Sequence, residues 1–321
     1  MFRLYTNPKY WITALSLGLL WLFHKLLPYH VKLPICRAFG RMAYRVFPSR
    51  RSIAEVNLSL CYPNLSETDR NAMVRRNFEH LFSSVLELGI SWWGKDEGML
   101  EEVTVEGSEH LLEAIAQGKG VILIGAHFLT IELGAALVKK HIGDSAALHV
   151  VYREQKNALF NALMLRGRSR HVKSCINSKS SKQIVKAMRS KQILWYAPDH
   201  DHGPLNTVFA PFFGHPAATL TTTATLAKIS GAPVIMMGSY RKEDGSGYRL
   251  TFQAPLENFP SDDDLHDATR VNRAIENAIT EAPDQYMWIH RRFKTQPGLP
   301  KSHLYGTDPH RKKKSRVNPA S

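Results

Sequence analysis

The sequence predicts an α/β fold: a mixed central sheet with helices on both faces, preceded by an N-terminal hydrophobic membrane-anchoring helix. Three observations predict it. From residue 107 to residue 254, short apolar runs alternate with stretches of helical period, which is how β-α-β units read in sequence. A long uncharged run stands near the N-terminus at 10–24. The chain of 321 residues is 44% hydrophobic, enough for a substantial core.

The elements follow in order. "YWITALSLGLLWLFH" (10–24) lies between Lys9 and Lys25, with Trp11 and Trp21 near its ends. A spanning helix takes roughly 20 apolar residues, but lysines snorkel and Leu26-Leu27 extend the run, so a short anchor or an interfacial helix is predicted. A cleaved signal peptide fits less well, because no A-x-A-like site follows. Arg3 and Lys9 precede the run, whereas Lys25, Lys32, Arg37, Arg41, Arg45, Arg50 and Arg51 follow it, so the body belongs on the cytoplasmic side. Residues 66–93 read as a helix, with Ser66 and Asp69 as a cap and Phe78, Leu81, Phe82 and Val85 on one face. "GSEHLLEAIAQGKG" (107–120) is a short helix closed by glycine and "VILIGA" (121–126) a buried strand. Strands follow at 146–152, 193–197, 233–240 and 248–254, and helices at 157–168, 180–191 and 219–230. The basic run "HRKKKSRVNPAS" (310–321) is a solvated tail.

The formal charge of +14 attracts anions, from nucleic acid to lipid headgroups and phosphorylated substrates. No nucleic-acid-binding motif accompanies it. Cys36, Cys61 and Cys175 are widely spaced, without a CxxC, which fits a reducing compartment rather than a disulfide framework. "GISWWGKD" (89–96) ends in Asp96 where a P-loop has Ser or Thr, and no G-x-S-x-G elbow occurs. Nucleotide hydrolysis and serine esterase chemistry thus lose their motifs.

"GAHFLTIELGA" (125–135) places His127 just after a buried strand and Glu132 five residues on. Within one helix these positions lie about 140° apart, so they meet only if His127 sits in the turn before the helix. Glu132 would then orient one imidazole nitrogen and leave the other as a general base. The spacing is also met by a lone histidine beside a surface glutamate. Tyr152 and Arg153 end a strand on the same rim. Arg166 and Arg168, in "LRGRSR", either grip a phosphate or line a solvated face. "DHDHG" (199–203) alternates metal-ligand types, so a metal-dependent phosphoesterase is the second reading; against it, the cluster is one short arm and no HExxH is present.

The His-x4-Glu pattern, taken with "VVYREQKNALFNALMLRGRSR", "ILWYAPDHDHG", "FAPFFG" and "MWIHRRFKTQPG", resembles the lipid A late acyltransferase family across most of residues 1–305. The resemblance implies transfer of a fatty acyl group from acyl carrier protein to a hydroxyacyl group of Kdo2-lipid IVA, at the cytoplasmic face of the bacterial inner membrane. "YREQKNALFNALMLRGR" and "SGYRLTF" look closer to its lauroyl-transferring branch. With that chemistry, His127 is expected as base, Glu132 as its orienting carboxylate, and Tyr152, Arg153, Arg166 and Arg168 as substrate-binding residues, joined by Asp199 and Asp201, which match the family's pattern. No metal or other cofactor is expected, since the carrier-protein thioester is the donor. His200 and His202 depart from the Gln and aromatic residue common there. The chain then divides into an anchor (1–30), an acyltransferase domain (31–305) and a basic disordered tail (306–321).

Overall fold

A computed structural model describes residues 4, 6–94 and 97–306; the predicted tail, Gly306 apart, lies outside the described residues. The first stretch is helical: α1 (Trp11–Leu26), α2 (Tyr29–Val46), α3 (Pro48–Cys61) and α4 (Glu67–Trp93). The start of α4 is set as its sequence predicts, the Asp69 amide donating to Ser66 Oγ at 3.1 Å. Gly94, at φ 66°, ends it in the left-handed conformation that glycine adopts at least cost.

No helix among the described residues is long and apolar enough to cross a membrane. At about 1.5 Å per residue, the 16 residues of α1 rise roughly 24 Å, short of the ~30 Å hydrocarbon core. The spanning form of the anchor is therefore not supported. Instead α1 docks on the body at its C-terminal end, where buried His24 donates from Nε2 to the Val85 carbonyl at 3.0 Å. A side chain at Gly89 would strike that imidazole at 2.2 Å. The opposite face of α1 presents Trp11, Ile12, Leu15 and Leu19 to the outside, Ile12 being 83% exposed.

The rest alternates strand and helix: β1 (Val103–Glu106), α5 (Ser108–Ala116), β2 (Val121–Ile124), α6 (Ile131–Ile142), β3 (Leu148–Tyr152), α7 (Ala158–Arg168), β4 (Ser174–Asn177), α8 (Ser181–Arg189) and β5 (Ile193–Tyr196). A hairpin, β6 (Thr207–Phe212) with β7 (His215–Leu220), leads into α9 (Thr222–Ser230), β8 (Val234–Arg241), β9 (Tyr248–Phe252) and α10 (Asp264–Glu281). The seven-stranded sheet runs β1-β9-β8-β2-β5-β3-β4. It is mixed because β8 and β9 pair antiparallel while the other neighbours are parallel.

Both faces are covered, as the unbroken apolar strands require. Ile122, Ile124, Leu194, Val234 and Met236 enter one core with α3, α4, α8, α9 and α10. Val121, Leu123, Ile193, Trp195, Ile235 and Met237 enter the other with α5, α6 and the end of α4. The helix expected at 219–230 begins only at Thr222, because Thr219 and Leu220 pair with Val208 and Thr207 in the hairpin. Phe213 and Gly214, at φ 48° and 79°, make its two-residue turn.

Strands β2 and β5 are parallel neighbours, and the chain after each leaves from the same edge of the sheet. Ligand chemistry in open α/β sheets sits at this carboxyl edge. Gly125 lets the first of these loops pass: a Cβ there would stand 2.7 Å from the Trp195 indole nitrogen.

Candidate active site

His127 lies in the turn between β2 and α6, as its spacing predicts, but its partner is not Glu132. The His127 Nδ1 stands 2.7 Å from Asp199 Oδ1, and the His127 backbone N–H donates to Asp199 Oδ2 at 3.0 Å. Asp199 follows β5 on the adjacent loop and is fully buried. Because a carboxylate only accepts, the ring proton belongs on Nδ1, and Nε2 keeps its lone pair. Nε2 has no hydrogen bond among the described residues.

A third donor completes the carboxylate: Tyr286 Oη donates to Asp199 Oδ2 at 2.8 Å. Burial, with the Asp199 charge beside it, raises the Tyr286 phenol well above its ordinary range, so it remains a donor. Burial would also raise the Asp199 carboxyl, but the attraction of His127 and its hydrogen bonds outweigh that and hold it well below the usual carboxylate range. The segment bearing Tyr286 is strapped across the His127 loop. Met287 N donates to the His127 carbonyl at 3.0 Å, and Leu129 N to the Gln285 carbonyl at 2.8 Å. Gln285 is fixed in turn to both backbone groups of Arg241, each at 2.8 Å.

Glu132 is placed differently from the expectation because it opens α6 and points toward α7 and the end of α4. Its Oε2 accepts from Arg168 Nε and from Trp92 Nε1, both at 3.1 Å, and its Oε1 accepts from Arg168 Nη2. This corrects two expectations at once, since Glu132 does not orient His127 and the Arg168 fork is occupied by a carboxylate rather than open to phosphate. Burial works against the Arg168 charge, but Glu132 outweighs it and raises the guanidinium pKa. Glu132→Ala is expected to strand Arg168 and the Trp92 indole. Losing a charged hydrogen-bond partner costs about 1.5–3 kcal/mol, less here because water reaches about a fifth of each side chain. A melting temperature lower by a few degrees is the expected result, and an unchanged thermal melt would show that the pair carries no stability.

Asp201, expected to bind substrate, is instead spent on the C-terminal segment. It accepts from Thr295 N at 2.7 Å, Thr295 Oγ1 at 3.0 Å and Gly203 N at 2.8 Å. Lys294 Nζ lies against its backbone carbonyl at 2.7 Å. Tyr152 ends β3 and Arg153 is exposed just beyond it. Arg166 is exposed on α7, and two residues before Arg168 it lies about 200° round the helix, on the other side. Burial lowers the His202 pKa, and so do the charges of His127, Lys294 and Arg153 near it.

Three imidazoles assemble at the base, which the sequence pattern does not show. His127 stacks on His200 with centroids 3.4 Å apart and planes at 9°, and His200 stacks on His290 at 3.8 Å and 14°. Burial above all lowers His200 to about 2 and His290 to about 4, against the opposing pull of the Asp199 charge, so both stay neutral. The adjacency of "DHDHG" to the end of a strand was the available signal; the pairing of that strand with β2 was not in the sequence pattern. The donor atoms of His127, Asp199 and His200 lie within 4.8 Å of one another, a set that a divalent metal accepts. Here the His127 Nδ1 and both Asp199 oxygens are engaged with one another and with Tyr286, the arrangement of an oriented base. The three thiols are unpaired, and burial raises each above its ordinary range, which works against a thiolate nucleophile.

The family model for bacterial lipid A biosynthesis acyltransferase matches residues 3–295. The chain is 41% identical over 296 residues to the lipid A biosynthesis lauroyltransferase of Escherichia coli (strain K12), covering 92% of this chain and 95% of that protein. It is 38% identical over 304 residues to the palmitoleoyltransferase of the same organism, covering 94% and 97%. To the myristoyltransferase it is 29% identical over 301 residues, covering 92% and 90%.

Proposed function

The chain belongs to the bacterial lipid A biosynthesis acyltransferase family, and from that premise we propose that it moves a lauroyl group from acyl carrier protein to a hydroxyacyl chain of Kdo2-lipid IVA. The observation that carries the chemistry is the locking of His127 Nδ1 onto buried Asp199, which leaves Nε2 to act as general base. Nε2 takes the proton of the acceptor hydroxyl as its oxygen attacks the thioester carbonyl carbon. The tetrahedral intermediate then expels the carrier thiolate, which receives that proton from the imidazolium. An ester and a free carrier thiol result, with no covalent enzyme intermediate.

The lauroyl assignment rests on the order of identities, 41% to the lauroyltransferase against 29% to the myristoyltransferase. Arg153, exposed beyond β3 and near His202, suits an acceptor that carries phosphates. The exposed apolar stripe of α1, flanked by Lys9 and Lys25, suits a helix lying in the headgroup region of the inner membrane's cytoplasmic leaflet.

Purified protein incubated with Kdo2-lipid IVA and acyl carrier proteins of different chain length tests the reading by mass spectrometry of the lipid. One added lauroyl group is expected, with lauroyl preferred over myristoyl by at least about tenfold, since the two chains differ by two methylenes and each is worth roughly 1–3 kcal/mol in such a pocket. Excess EDTA should leave the rate unchanged. No acyl gain from any donor would overturn the proposal, and chelator inhibition reversed by a divalent metal would revive the phosphoesterase reading of residues 199–203.

A further inference from the structure

We propose that His200 is a positioning residue for the reaction: clamped between His127 and His290, its flat ring fixes the plane of the base. This rests on the reading of His127 as general base and adds the element that holds it. The bond from His127 Nδ1 to Asp199 Oδ1 fixes one atom of the imidazole, not its plane. A ring held by that bond alone is free to swing Nε2 through an arc. The His200 ring, 3.4 Å away and within 9° of parallel, removes the swing on one side. His290, at 3.8 Å and 14°, keeps His200 from giving way.

The contact is through the ring face, not through a nitrogen. His200 makes no hydrogen bond among the described residues, and its Nε2 is buried without a partner. Sealing a polar nitrogen in this way costs stability, so the ring is not held there for hydrogen bonding. Stacked rings also do not pass protons to each other, which excludes a relay along the three histidines. His200 and His290 are surrounded by Asp199, His127 and His202, with Lys294 and Arg292 beyond. Because both rings are neutral in that setting, a proton taken up by His127 during turnover meets no second charge in the stack.

The test compares His200→Phe, which keeps a flat ring without nitrogens, with His200→Leu, which fills the space without a plane. Small misplacements of a reacting group cost up to about 10²-fold in rate. His200→Leu is therefore expected to lower kcat about 10- to 100-fold with KM for both substrates within about twofold. His200→Phe should keep most of kcat and melt no lower than wild type, since it removes an unpartnered buried nitrogen. Wild-type turnover in His200→Leu, or equal losses in the Phe and Leu variants, would overturn the proposal. If His200→Leu does not fold, His290→Leu against His290→Phe decides by the same pattern from the outer side of the stack. His127→Ala separates the two levels: if it stays active the general-base reading itself fails, whereas an inactive His127→Ala with an unaffected His200→Leu removes only the stack.

Discussion

His127→Ala is expected to lower kcat by about 10²–10⁴-fold, the range that a positioned general base supplies. The acceptor hydroxyl is a weak nucleophile until its proton has somewhere to go, and the Nε2 of His127, on a ring that is nearly a quarter exposed, keeps a lone pair that no hydrogen bond takes among the described residues. The side chain is nearly a quarter exposed, so alanine leaves no large sealed cavity. Asp199 keeps the His127 backbone N–H and the Tyr286 hydroxyl on Oδ2 and loses only the ring donor on Oδ1. The variant should therefore fold, with a modestly lower melting temperature and a nearly unchanged KM for the acyl donor. His127→Gln, which restores a donor toward Asp199 but offers no base, should be as slow as alanine. Steady-state rates of the two purified variants check this directly, and turnover within tenfold of wild type in either would sink the mechanism.

Much of the sheet was legible because its strands are covered on both faces and read as apolar runs, as in "VILIGA" and "ILWYA". Strand β4, Ser174–Asn177, was not, since it lies at the sheet edge and "SCIN" carries little apolar signal. The hairpin β6–β7 was hidden for a different reason: Pro211 and Pro216 face each other across it, and proline in a run argues against a strand. The site shows the same division. His127 could be placed in its turn from local sequence alone. Its carboxylate could not, because Asp199 is 72 residues away in the chain and arrives through the pairing of β5 with β2. Glu132, five residues from His127, was the nearer choice by sequence, but it opens a helix that turns it toward Arg168. Tyr286 and His290 come from a segment whose "MWIHRRFK" pattern gives no sign that it straps across the His127 loop.

Asp199→Asn is expected to cost about 10³–10⁴-fold in kcat, because it sets the wrong tautomer on a ring that otherwise stays in place. The carboxylate has three donors to satisfy: the His127 backbone N–H and the Tyr286 hydroxyl on Oδ2, and the His127 Nδ1–H on Oδ1. An amide has one oxygen to offer. If that oxygen takes the Oδ2 position, the amide NH2 faces His127 Nδ1 and can only donate to it. The ring proton then moves to Nε2, where the base lone pair has to be. If the amide is reversed, the NH2 meets the backbone N–H, a donor against a donor, and the loop carrying His127 loses its anchor. Neither orientation keeps both the loop and the base. The pH dependence follows from the sign of the shift. A carboxyl held below its ordinary value contributes stability that is present above about pH 4 and is lost only as pH falls through the lower folded value. Between pH 5 and pH 9 the wild-type carboxylate is therefore ionised throughout, so its own titration gives kcat no pH dependence in that window. Steady-state kinetics of Asp199→Asn over the window, with a thermal melt to confirm the fold, make the measurement. A loss below tenfold at the pH of maximal wild-type activity would show that Asp199 does not hold the tautomer of the base.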